Sequence, residues 1–192
     1  MSDKLTKEQR HKNMAAIRAK DTKPEIIVRK YLWSHGFRYR LNHPRLPGKP
    51  DIVLRRYRTC IFVNGCFWHG HDTRLTSLNM ELESSECCRI PHTNREFWVE
   101  KIIRNKRRDI EVQRKLAAMG WHSITIWECE LKAGRAQQPG EKSQREKTLE
   151  ALTYTLNKIF LQDRQVRKYE LAEKEETPMM AADNSEIGYG KP

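Results

Sequence analysis

The hydrophobic patterns along the chain predict an α/β fold, a mixed central sheet flanked by helices. Three observations carry this reading. A capped amphipathic helix precedes a short apolar hairpin, a long basic helix follows it, and an alternating strand with a last amphipathic helix closes the order. The 192 residues divide into a basic N-terminal helix (1–20), one globular domain (21–162) and a charged C-terminal tail expected to be mobile (163–192).

Lys7 to Ala19 reads as a basic helix with Thr6 as N-cap and only Met14, Ala15 and Ile17 as an apolar patch. Such a patch does not anchor a helix in a core; ordering on a polyanion would put Arg10, Lys12, Arg18 and Lys20 near phosphates. Thr22, Pro24 and Glu25 then form a helix start in which Thr22 caps, so Glu25 has a complete local explanation. That helix carries Ile27, Val28, Tyr31 and Leu32 on one face and stops at Gly36.

Phe37 to Leu41 alternates like a half-buried strand, and the three prolines between Asn42 and Pro50 force a loop. Asp51–Leu54 and Thr59–Val63 form the apolar hairpin, which sets an acid at the start of one strand and a glycine-bracketed loop at the end of its neighbour. Residues 72–90 show weak periodicity. Asn94 to Met119 is the long helix, with Thr93 and Glu96 as a capping box and Gly120 as its stop. Lys101, Arg104, Lys106, Arg107 and Arg108 make it basic, as a solvated face or as a phosphate track. His122 to Trp127 alternates as a strand, and Leu149, Leu152, Leu156, Ile159 and Phe160 mark the last helix.

A formal charge of +12 points to a polyanionic partner. Five cysteines without an apolar leader indicate a reducing, cytoplasmic setting, and no run is long enough to cross a bilayer, so no membrane partner is expected.

The loop Asn64-Gly65-Cys66-Phe67-Trp68-His69-Gly70-His71 combines a thiol, two large aromatics and two imidazoles, a poor composition for a core and a good one for a site. Cys66 and His71, Cys87 or Cys88, and Cys129 at the end of the next strand can form one tetrahedral zinc cage; scattered buried thiols are the alternative. Asp51 at a strand entry can hold Mg²⁺ against a phosphate, or can be a strand-entry residue satisfied by backbone. His69 is a candidate general acid or base. Phe67, Trp68 and Trp98 can stack on bases or wedge between them, although periodicity alone reads Trp98 equally well as core.

Together, Lys12-Asn13-Met14-x-x-Ile17, Asp21-Thr22-x-x-Glu25, Leu46-Pro47-Gly48-x-Pro50-Asp51, Gly65-Cys66-Phe67-Trp68-His69-x-His71, Glu96-Phe97-Trp98 and Trp127-Glu128-Cys129 resemble the very-short-patch-repair (Vsr-type) DNA mismatch endonucleases over about residues 13–161. The resemblance implies a restriction-endonuclease-like core with a structural zinc site. It implies an enzyme that nicks one strand of duplex DNA 5′ to the thymine of a T·G mismatch. By it, Asp51 binds Mg²⁺ with the backbone carbonyl of Val63, His69 assists proton transfer or phosphate binding, and Glu25 is a water-holding carboxylate. Phe67, Trp68 and Trp98 become a major-groove wedge, Met14 to Ile17 its minor-groove counterpart, and Lys101 and Asn105 face the mismatch. Cys66, His71, Cys87 or Cys88, and Cys129 match the zinc ligands.

The chain is expected to act as a monomer, and the resemblance implies the MutL repair protein and a cytosine methyltransferase as functional neighbours. The chain departs from the family pattern in two places. Asn64 stands where histidine is frequent, and the segment Thr73 to Cys88 is longer than in compact members. The rival readings are a restriction-type nuclease of the same fold that cuts unmodified sites, and a zinc-bearing DNA-binding module without catalysis.

Overall fold

The computed structural model describes residues 6–16, 20–75, 82–134 and 140–175. Helix α1, Lys7–Ala15, is shorter than the pattern predicted, and Ile17 to Ala19 lie outside the described residues. Helix α2, Lys23–Ser34, begins at Thr22, whose hydroxyl accepts the Glu25 N–H. It ends as its composition predicts. Gly36, at φ +81°, lets its own N–H reach the Trp33 carbonyl and the Phe37 N–H reach the Leu32 carbonyl. This termination claims Phe37, which turns into the core. The expected strand from Phe37 is therefore only β1, Arg40–Leu41.

Strands β2, Ile52–Leu54, and β3, Thr59–Asn64, form the expected hairpin around a 3₁₀ turn at Arg55–Tyr57. Helix α3, Cys66–His69, is a single turn that follows β3 directly. Strands β4, Arg74–Leu75, and β5, Leu82–Glu83, pair as a small ribbon. Helix α4, Arg95–Ala118, leads to β6, His122–Trp127, and a 3₁₀ turn at Glu128–Leu131 precedes helix α5, Gln144–Glu175. Helix α5 continues past residue 163, where the apolar pattern ends, and residues 176–192 lie outside the described residues.

The expected Thr93 capping box of α4 does not form. Asn94 is the N-cap, in the left-handed region at φ +53°, and no side chain caps the first turn. The C-terminus does end on Gly120, with the Trp121 N–H bonded to the Leu116 carbonyl.

The four-stranded sheet has the order β1-β2-β3-β6, antiparallel except for the parallel β3–β6 pair. Parallel neighbours need a long crossover, and α4 supplies it. Alternation then sorts the core into two layers. Ile52, Leu54, Ile61 and Ile126 pack under Val28, Leu32 and Leu156 of α2 and α5, while Val53 and Cys60 face Leu116, Val112 and Trp121 on the α4 side. A third cluster of Leu82, Cys88, Ile90 and Ile102 sits beneath the aromatic turn.

Candidate active site and metal centre

The site lies where β2 begins and β3 ends. Asp51 immediately precedes β2, and its Oδ2 accepts the Val63 N–H at 2.8 Å. Its backbone carbonyl accepts the Asn42 N–H, which ties the proline-rich loop to the sheet edge. Burial pushes the Asp51 carboxyl up to about 6. The Val63 N–H opposes the rise, and the nearby Glu25 charge adds to it. Glu25 is almost fully buried, and both its oxygens are engaged: Oε2 accepts the Asp21 N–H at 3.0 Å and Oε1 the Thr22 hydroxyl at 2.9 Å.

Asp51 and Glu25 line a cleft of ≈ 590 Å³ that also contains His69, Asn64, Asp109 and Arg108, with Lys20 and Lys49 contributing positive charge. His69 Nδ1 lies 2.6 Å from Asp109 Oδ2 on α4. With Nδ1 holding its proton toward Asp109, Nε2 is left free for the cleft. Sequence reading missed Asp109. Its signal was a lone acid in the most basic part of the long helix, with a partner 40 residues away.

One residue beyond His69, Gly70 adopts φ +60°, and a Cβ there would lie 2.5 Å from Ile102 Cγ2. This turn separates the two imidazoles, leaving His69 in the cleft and His71 on the other side. The parallel register explains what His71 meets. Asn64 pairs with Trp127, so Cys66 and Cys129, each two residues further on, come alongside. Cys87 completes the group, and the four ligand atoms lie within 4.8 Å of one another. His71 Nδ1 is 3.9, 3.2 and 3.3 Å from the sulfurs of Cys66, Cys87 and Cys129. Tetrahedral zinc with ordinary Zn–S and Zn–N bonds needs N···S separations of about 3.5 Å, so these donors fit a metal ion such as zinc.

His71 Nε2 lies 3.6 Å from Asp72 Oδ2, and Trp127 stacks on the ring at 4.1 Å. Burial raises the Cys66 thiol and pushes Cys129 up to about 12. Cys88 is not in the group. It is fully buried among Leu82, Ile90 and Ile102, with Sγ 3.8 Å from the Phe67 carbonyl. Cys60 is likewise a core thiol, pushed up to about 12 by burial.

Phe67, Trp68 and Trp98 form one aromatic cluster with centroids 5.1 to 6.1 Å apart. Phe67 and Trp98 also pack on the third core cluster, so Trp98 is both half-buried and part of this surface. Phe97, outside the expected set, is the exposed ring of the group at 55%. Lys101 Nζ sits 5.2 to 5.5 Å from the ring centroids of Trp68, Trp98 and Phe97. The Asn105 amide donates to the Trp68 carbonyl at 2.7 Å, which fixes α3 against α4. Met14 is exposed on α1.

A half-buried carboxylate and an imidazole–carboxylate pair open into one cleft beside a basic, aromatic-studded helix, an arrangement suited to acid–base chemistry on a polyanion. The sequence profile described as "DNA mismatch endonuclease Vsr" matches residues 2–75. The chain is 46% identical to the type II nicking enzyme V.NmeAIP of Neisseria meningitidis, over 69% of this chain and 86% of that protein. It is 41% identical to the type II nicking enzyme V.XorIIP of Xanthomonas oryzae, over 68% and 88%. It is 38% identical to the DNA mismatch endonuclease Vsr of Escherichia coli, over 69% and 77%. The chain belongs to the Vsr family of DNA mismatch endonucleases. Among the described residues, no helix is long and apolar enough to cross a membrane.

Proposed function

We propose that the chain nicks one strand of duplex DNA 5′ to the thymine of a T·G mismatch, by Mg²⁺-dependent phosphodiester hydrolysis, with zinc held by Cys66, His71, Cys87 and Cys129. The observation that supports this most is that Asp51 and the His69–Asp109 pair share one cleft with the basic side chains. Asp51 is a half-buried acid whose ionised form is disfavoured by burial, the environment a hard dication suits. Asp51 and the Val63 carbonyl would hold Mg²⁺, which when bound polarises a phosphoryl oxygen and acidifies a water ligand.

The chain's own residues account for the remainder. Lys20, Lys49 and Arg108 draw the backbone phosphates into the cleft. Asp109 fixes the His69 ring so that Nε2 moves a proton at the reacting phosphate. Asn64 does not titrate, so His69 carries this role alone. Glu25, with both oxygens committed, sets the start of α2 and the negative potential around Asp51 rather than carrying a proton.

Phe67, Trp68 and Trp98 supply the wedge from the major-groove side, with Lys101 and Asn105 next to it. Met14 approaches from α1; Ile17 lies outside the described residues. That relatives are named nicking enzymes supports cutting of one strand. Family resemblance carries MutL as a partner, testable by pull-down with the full chain.

The test is nicking of T·G, other mismatched and fully paired duplexes, each with Mg²⁺ or with chelator. Equal cutting of paired and T·G duplexes would overturn the mismatch reading. Asp109→Asn is expected to lower single-turnover nicking by about 10²- to 10⁴-fold, because it disturbs the His69 tautomer, while leaving the gel-shift affinity for mismatched DNA unchanged.

A further inference from the structure

Lys106 lies within the basic stretch of α4, where a phosphate contact is the obvious use of a lysine, but its ammonium points inward. Nζ donates to the Gly70 carbonyl at 3.2 Å, the Thr73 carbonyl at 3.0 Å and Thr73 Oγ1 at 3.1 Å. An ammonium has three protons, so none is left for DNA.

The turn it grips is closely constrained. Gly70 and Asp72 both have positive φ, at +60° and +53°, and His71 lies between them. The Gly70 carbonyl also accepts from the Thr73 N–H and hydroxyl, and Thr73 is buried. Without a donor at position 106, two converging carbonyls would lose a partner at a half-buried place. Asn105 and Asp109, on neighbouring positions of the same helix, hold Trp68 and His69. The three side chains therefore clasp residues 68–73 as one unit.

Resting on the zinc reading above, we propose that Lys106 is a positioning residue of the metal centre, locking the 70–73 turn so that His71 Nδ1 stays aimed at the three sulfurs.

Zinc transfer from the metal-loaded full chain to an excess of chromophoric chelator tests this. Lys106→Met is expected to release zinc about tenfold faster than the wild type with unchanged far-UV circular dichroism, the scale of lost outer-shell support. Thr73→Val, which removes one acceptor of Lys106 together with the hydroxyl's own bond to the Gly70 carbonyl, should release it several-fold faster, and the double variant by less than the product of the two single effects. A wild-type release rate in Lys106→Met would overturn the proposal; if Lys106→Met does not fold, Lys106→Gln is measured in its place and decides in the same way. A wild-type chain that takes up no zinc in metal analysis would overturn the zinc reading itself. That result is distinct from a zinc-loaded chain indifferent to Lys106.

Discussion

Asp51→Asn is expected to reduce nicking by at least about 10³-fold and, in metal-free buffer near pH 8, to make the protein more stable. The two effects have one origin. The folded Asp51 carboxyl sits at about 6, above its ordinary 3.8, chiefly because burial penalises its ionised form. The folded chain therefore holds the proton more tightly than the unfolded one, and stability falls as pH rises from about 4 to about 6. Above that window the whole penalty is present, up to about 3 kcal/mol for a shift of this size, and an uncharged asparagine removes part of it. Thermal melts with and without Mg²⁺ check this. Mg²⁺ should raise the melting temperature of the wild type and leave Asp51→Asn unmoved. A variant that melts below the wild type without metal would show that burial does not penalise the Asp51 carboxylate, and one that still responds to Mg²⁺ would show that Asp51 is not the cation's carboxylate.

Removal of zinc is expected to abolish nicking and to lower the melting temperature by about 10 °C or more, since the centre joins α3, the segment after β5 and the turn after β6. Adjacent cysteines give a sharp control. Cys87→Ser should lose the metal and behave like the chelated protein. Cys88→Ala should keep about one zinc per chain and cost about 1–3 kcal/mol through the cavity it leaves. Metal analysis and calorimetry of the pair distinguish the two. Because burial holds the Cys66 and Cys129 thiols protonated when no cation is bound, zinc uptake should release protons and tighten as pH rises.

Local chemistry made much of this molecule legible. The cap at Thr22, the left-handed stops at Gly36 and Gly120 and the hairpin carrying Asp51 into the sheet all follow from short-range rules. The loop of Cys66, His69 and His71 stood out because its composition suits no core, and the structure places His69 in the cleft and Cys66 and His71 in the Cys/His group. What stayed hidden depends on distant partners. Whether Cys87 or Cys88 faces the cluster is decided by a turn in which the Ser85 hydroxyl accepts the Cys88 N–H and Ser84 that of Ile90, sending Cys88 inward. Asp109 has no local signature, because its meaning comes from an imidazole 40 residues away. Lys106 looked like one more phosphate contact because its three acceptors belong to a turn that sequence alone does not place beneath it.

Helix α4 carries Phe97 and Trp98 in its first turn, the imidazole's carboxylate near its middle and core contacts at Leu116 near its end. From Trp98 to Asp109 the backbone advances about 16 Å at ~1.5 Å per residue. Such a rod behaves as a ruler. On the proposed function, α4 and the Trp68–His69 step would together hold a fixed span between the seated rings and the imidazole, so the place of the cut would be set by the fold's own dimensions.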